Sequence, residues 1–392
     1  MPWKENSVLE QRVAFIRACQ ANGGDFMTDL CDRFEISRKT GYKWLARYHD
    51  ADGIDGLRDQ SRAPQTHPNA VSPEIEDAVV AMKLAHIKWG AKKVKACLRR
   101  ADPQMDWPAA STMETILKRN GLVVPRPPTR RTPPYTQPFA GCLAPNDVWC
   151  ADFKGWFRTL DGRRCDPFTL TDAYSRFLLR CQIVPRPNRR WVQAICDAAF
   201  REYGLPRAIR TDNGPPFAAR AVGGLSLLAI HWIKLGIIPE RIRPGRPQQN
   251  ARHERMHRTL NGESASPPQD NRRKQQTALG HFRQEFNYER PHEALDQNTP
   301  ASLYERSPRP YPRRLPPIVY PDGFVVQRVR KSGQLSWHGH DLFLSKRLAG
   351  ELVGLQQQED DTWIIHFGPL PLVIWNPRTG RIKPYPRRQQ SC

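Results

Sequence analysis

The chain has 392 residues, more than one hydrophobic core usually serves, so two to four folding units are expected. Lys and Arg number 61 against 39 Asp and Glu, and the formal charge of +22 favours a polyanionic partner, nucleic acid before a membrane surface. No apolar run approaches a spanning helix, no signal-peptide pattern opens the chain, and nine scattered cysteines without a Cys-x-x-Cys argue against a disulfide framework or zinc ribbon, which leaves a cytoplasmic, nucleoid-associated protein.

"SVLEQRVAFIRACQ" carries apolar residues at helical spacing, and "FMTDLCDRFEI" follows as a second short helix. "SRKTGYKWLARYH" then opens with Ser37, a good N-cap. On this third helix Trp44, Leu45 and Tyr48 form one apolar stripe, while Lys39, Lys43 and Arg47 share another face, with Arg38 at its start. A core face opposite a basic face suits a recognition helix in a major groove. The plainer alternative is a solvated basic helix. The two helices leading into it favour a helix-turn-helix unit over residues 1–58.

"SPEIEDAVVAMKLAHIKWGAKKVKACLRR" predicts two more helices, and "WPAASTMETILKRNGL" a third, capped around Pro108 to Ser111 and ended at Gly121. Residues 70–122 read as a second helical DNA-binding unit, with Lys92 and Lys93 as candidate contacts. The prolines of "VVPRPPTRRTPPYTQP" make 123–145 a stiff, basic linker.

After the linker the period changes. "NDVWCADFKGWFR" is strand-like, and "RRCDPFTLTDAYSRFLLRCQIV" holds two strands around a turn near Asp172, an acid read as structural. "NRRWVQAICDAAFREYG" predicts an amphipathic helix, and "RAIR" a short strand ending at Asp212. A Leu-rich helix in "AVGGLSLLAIHWIKLG" and a basic one in "RPGRPQQNARHERMHRTLNG" continue an α/β layer with a mixed sheet over 146–306. Over 316–385, "FVVQRVR", "QLSWHG", "ELVGLQQ", "DTWIIHF" and "PLVIW" alternate with turn residues, which suggests a small all-β barrel.

Asp152, Asp212 and Glu254 stand out in the α/β region, because each lies where an element could project it to one sheet edge. Clustered carboxylates need cations between them, and hard oxygen ligands suit Mg²⁺ or Mn²⁺. A pair of such ions is the usual device for cutting and joining phosphodiesters. Singly, each acid has a bland alternative: a strand end, a turn in "TDNGPPF", or a solvated helix acid facing Arg258.

"WCADFKG", "LTDAYSRFLL", "IRTDNGPPF", "RPGRPQQNARHERMHRTL" and "NYERPHEALDQNTPASLY" occur in the order seen in insertion-sequence transposases with an integrase-type catalytic core, and the chain resembles that family. The resemblance implies a ribonuclease H-like core in which Asp152, Asp212 and Glu254 are the Asp-Asp-Glu triad, catalytic and metal-binding, holding two Mg²⁺ or Mn²⁺ ions. It implies a DNA transposase that cleaves element ends and joins the 3′-hydroxyl to target DNA. Its partners would be double-stranded DNA, as terminal inverted repeats and as target, and further copies of the chain in a synaptic complex, with no membrane. Arg246, Arg252 and Arg255 around the third acid join the DNA-binding candidates. Tyr288, Arg290 and His292 would serve packing in the segment that closes the core. A catalytically inactive DNA-binding regulator is the first alternative. A zinc peptidase is the second, because "HERMH" fits His-Glu-x-x-His with His253 and His257 on one helix face.

Overall fold

The computed structural model describes residues 7–21, 27–50, 53–59, 70–123, 139, 141–219, 222–242, 247–337, 339–358 and 362–386. Arg246 and the linker residues 124–138 and 140 fall outside the described residues. Two compact units result, Met1–Ala70 and Val71–Cys392.

The described residues of the first unit include the α-helices α1 (Val8–Ala21), α2 (Met27–Arg33) and α3 (Arg38–Asp50). They close over Phe15, Ile16, Leu30, Cys31, Trp44 and Leu57. The Ser37 hydroxyl accepts from the Thr40 amide at 3.2 Å, so the predicted cap starts α3. Gly41 lets α3 press onto α2, since a Cβ there would lie 2.6 Å from Cys31 Sγ.

The second unit opens with α4 (Pro73–Ala85), α5 (Ala91–Ala101) and α6 (Ala110–Arg119), packed around Val79, Trp89, Val94, Met113 and Leu117. Strands β1 (Val148–Phe153), β2 (Phe157–Arg158), β3 (Arg164–Asp172) and β4 (Leu178–Val184) follow, then α7 (Arg189–Tyr203), β5 (Ala208–Thr211), α8 (Leu227–Lys234) and β6 (Ile238–Arg241). The sheet runs β3–β1–β5–β6, with β2 and β4 both pairing β3. The β1–β3 and β3–β4 pairs are antiparallel, and β1–β5 and β5–β6 parallel, which is the mixed sheet expected of a ribonuclease H-like core.

Side chains alternate across the sheet. Trp149, Ala151, Phe168, Leu170 and Ile209 pack with α7 and α8. The other side is covered by α9 (Ala251–Leu260) and α10 (Arg272–Tyr288), where Met256, Leu260, Leu279 and Phe282 meet Leu178 and Cys181. Asp172 holds its own turn, as expected: it is buried and accepts from the Asn146 and Ser175 amides at 2.8 Å each and the Ser175 hydroxyl at 2.7 Å. The chain closes on the core through α11 (Pro300–Leu303).

The expected C-terminal barrel is instead an open sheet. Strands β7 (Phe324–Arg328), β8 (Gln334–Trp337), β9 (His340–Phe343), β10 (Leu352–Gln357), β11 (Trp363–Phe367), β12 (Leu370–Asn376) and β13 (Arg381–Pro384) form an antiparallel order β13–β12–β11–β10–β7 and a separate β8–β9 pair. Closure is unnecessary because other elements cover the apolar side: Leu335 and Leu342 of the β8–β9 pair and Ala229, Ile230 and Ile233 of α8 share one cluster with Val353, Leu355, Ile365 and Trp375. No helix among the described residues is long and apolar enough to cross a membrane. The eight described cysteines are free thiols.

Candidate active site

In the parallel pair β1–β5, Ala151 is registered with Thr211. Asp152 and Asp212 are the next residues along, so they stand level at the ends of adjacent strands, about 4.8 Å apart at the backbone. Asp152 Oδ1 accepts from the Phe153 amide at 2.7 Å. Burial first, then the charges of Asp212 and Glu254, push the Asp152 carboxyl up to about 7. Burial also raises Asp212, opposed by the Gly214 amide, which donates to Asp212 Oδ1 at 3.1 Å. Asn213 Nδ2 donates to the Ile242 carbonyl at 2.7 Å and pins the turn beside β6. "TDNG" is thus both a turn and a way of presenting a carboxylate at the sheet edge.

Glu254 is exposed in the first turn of α9, and its charge has the weakest of the raising effects on Asp152. The histidines beside it point into the sheet. His253 and His257 both place Nε2 at 2.7 Å from Thr169 Oγ1, and His253 Nδ1 lies 2.8 Å from Thr171 Oγ1. Burial, with the charge of Lys154 second, holds His257 down to about 4, and burial, then the charge of His257, holds His253 well below its ordinary value. The Thr169 hydroxyl fills the point on which both Nε2 atoms converge, so His-Glu-x-x-His is here a contact between helix and sheet. A third zinc ligand would have to come from Glu285 or Glu289, and Glu285 lies 3.3 Å from His86.

Among the described residues, no group of three His, Cys, Asp or Glu side chains is already arranged to hold a metal ion. Carboxylates without a cation between them repel, and the three acids would have to draw together around one. The donor set nevertheless fits Mg²⁺ or Mn²⁺, being all hard oxygen. Asn250 strengthens that fit: it is buried, its Nδ2 lies 3.4 Å from Asp152 Oδ2, and its Oδ1 has no hydrogen-bond partner. A buried acceptor left without a donor is costly, and a cation or its bound water would satisfy it.

The basic candidates divide. Arg38, Lys39 and Lys43 are exposed on α3, and Arg47 is half-buried with its guanidinium 5.1 Å from the Trp44 ring centre. Lys92 reaches Glu293 at 2.9 Å, while burial, then the charge of Arg290, brings half-buried Lys93 to about 8. Arg252 donates to the Ala173 carbonyl at 2.7 Å and lies over the Phe139 ring, whereas Arg255 is exposed. Sequence reasoning missed Asn250, Thr169 and Thr171. The only signal was position: Asn250 one helical turn before Glu254, and two threonines at alternate positions of "TLTD".

Integrase core domain families match residues 143–247 and 235–300, a helix-turn-helix domain matches 11–65 and a homeodomain-like domain 40–117. The uncharacterized 31.7 kDa protein of insertion element IS407 from Burkholderia multivorans is 26% identical over 252 residues, covering 59% of this chain and 82% of that one. The uncharacterized 39.2 kDa protein of insertion element IS476 from Xanthomonas euvesicatoria is 27% identical over 241 residues, 60% of this chain and 66% of that one. Among solved structures, the HTLV-2 integrase catalytic core domain in complex with magnesium has 14% identity and a TM-score of 0.33 over 42% of this chain and 99% of its own. The BIV integrase catalytic core domain has 19% identity and a TM-score of 0.31 over 41% and 93%. At these scores the structural likeness adds nothing to what the sheet order establishes.

Proposed function

We propose that this chain, an insertion-sequence transposase by its integrase-type core and helix-turn-helix segments, cleaves the ends of its element and joins the freed 3′-hydroxyl to target DNA. In the first step a water oxygen bonds to the end phosphorus, the bond from phosphorus to the 3′ oxygen breaks, and that oxygen takes a proton. In the second the 3′-hydroxyl gives up its proton as its oxygen bonds to a target phosphorus, the bond from that phosphorus to a target 3′ oxygen breaks, and the leaving oxygen takes a proton. When bound, Mg²⁺ or Mn²⁺ (two ions in this reading) would lower the pKa of the attacking water or hydroxyl and stabilise the leaving oxygen.

The chain's own residues do the rest. Asp152, Asp212 and Glu254 supply the carboxylates that hold the ions, and Asn250 orients Asp152 from its own buried position. The α3 residues Arg38, Lys39, Lys43 and Arg47 contact the element ends, with Lys92, Lys93, Arg246, Arg252 and Arg255 on DNA nearer the core. Much of the affinity comes from the charge of +22 and is salt-sensitive. Bringing two ends together requires more than one copy of the chain, working at the nucleoid in the cytoplasm.

The observation that carries this reading is the pairing of Asp152 and Asp212 on adjacent strand ends, where the charge of one raises the pKa of the other. A strand-transfer assay with Mg²⁺ and DNA carrying the element ends tests it. The wild-type chain should be active, and Asp152→Asn, Asp212→Asn and Glu254→Gln inactive. An inactive wild-type chain that still binds the ends would favour the regulator instead.

A further inference from the structure

Thr169 lies opposite Asp152 in the β1–β3 register and is fully buried. Its hydroxyl meets three groups: the Asp152 carbonyl at 3.2 Å and the Nε2 atoms of His253 and His257 at 2.7 Å each. A hydroxyl has one proton and two lone pairs. The carbonyl can only accept, so that proton goes to Asp152, and both Nε2 atoms must donate. His253 Nδ1 is then an acceptor, and the Thr171 hydroxyl at 2.8 Å supplies its donor. Every proton is assigned, with both rings neutral and protonated on Nε2.

We propose that Thr169 is a positioning residue that locks the helix carrying Glu254 to the strand carrying Asp152, through the two histidines that flank Glu254. The inference rests on the transposase reading of the three acids. In a helix successive residues are about 100° apart, so Glu254 leaves α9 roughly 100° from His253 and 60° from His257. With both histidines tied to one hydroxyl, α9 cannot roll, and the direction of Glu254 is set. A carboxylate some 7 Å from the helix axis would move about 2 Å for a roll of 20°. Misplacement by about 1 Å can cost roughly 100-fold in rate. Thr171 prevents the alternative in which the His253 ring flips.

Thr169→Val keeps the shape and removes the hydroxyl, while Thr169→Ser keeps the hydroxyl. Thr169→Val should bind end DNA with unchanged affinity and KM and lose about 100-fold in turnover. Mn²⁺ titrated into the DNA-bound protein and followed by electron paramagnetic resonance should half-saturate at about ten times the wild-type concentration. Thr169→Ser should stay within a few-fold of wild type in all of these. A valine variant with wild-type turnover and Mn²⁺ affinity overturns the proposal, as does a serine variant as impaired as valine. Nitrogen-15 histidine spectra of the wild-type chain, which need no variant to fold, should report the Nε2-protonated tautomer for both rings. An Nδ1-protonated ring at either position overturns the assignment. If the wild-type chain lacks strand transfer altogether, the transposase reading fails, while the tautomers and Mn²⁺ titrations still judge the clamp.

Discussion

Asp152 and Asp212 are neighbours across a parallel strand pair, and both hold their protons more tightly than a free aspartate, burial being the larger cause at each. The part of the Asp152 shift that comes from the Asp212 charge disappears when that charge is neutralised or bridged, while the part that comes from burial remains.

Stability should therefore depend on pH in a definite direction. Asp152 titrates at about 7 in the folded chain against 3.8 when free. The folded state binds this proton more tightly, so the contribution is full below about pH 4 and lost as pH rises through 7. Without divalent cations, the urea midpoint should fall between about pH 5 and 8, by a free energy on the order of a few kcal/mol. Asp152→Asn should flatten that slope; an unchanged slope would contradict the assignment.

On the proposed function, Asp212→Asn preserves the side-chain shape and the turn but removes a charge that would hold the metal. Cleavage and strand transfer should be lost with near-normal binding to element ends in a gel-shift assay. Retained strand transfer would return Asp212 to a purely structural role.

Arg290 Nη1 lies 2.5 and 2.6 Å from the two carboxylate oxygens of Glu263, both side chains being largely buried. Removing one partner strands the other. Arg290→Ala should destabilise by about 3–5 kcal/mol in urea denaturation, while Arg290→Met combined with Glu263→Gln should recover most of it. Equal losses in the single and double variants would show that the pair itself matters little.

Lys43→Glu should weaken binding to element ends strongly and reduce the dependence of log affinity on log salt by about one unit. Unchanged affinity would move the reading helix to the second helical unit, residues 70–122.

The sequence made the ordered acids, the strand–helix alternation and the Ser37 cap legible, because each depends on local spacing. It could not tell a barrel from an open sheet: the alternation in "DTWIIHF" or "PLVIW" says that one face is covered, not by what. Nor could it foresee that Lys92 meets Glu293, far along the chain. The imidazoles of "HERMH" were readable as a helix face, yet the hydroxyl they share belongs to a distant strand. Arg290, His292 and Tyr288 do pack, His292 against the Phe286 ring and Tyr288, though half exposed, edge-on against Phe177.

Helix α8 is apolar on two sides, with Leu228 and Trp232 packed against the mixed sheet and Ala229, Ile230 and Ile233 under the C-terminal sheet. On the ribosome this helix emerges long before Val353 or Trp375 exists to cover it. Until those strands have been made, the nascent chain carries an adhesive flank open to chaperones or to other chains. A premature stop upstream of residue 350 would make that state permanent, so truncated products should precipitate or be degraded rather than accumulate.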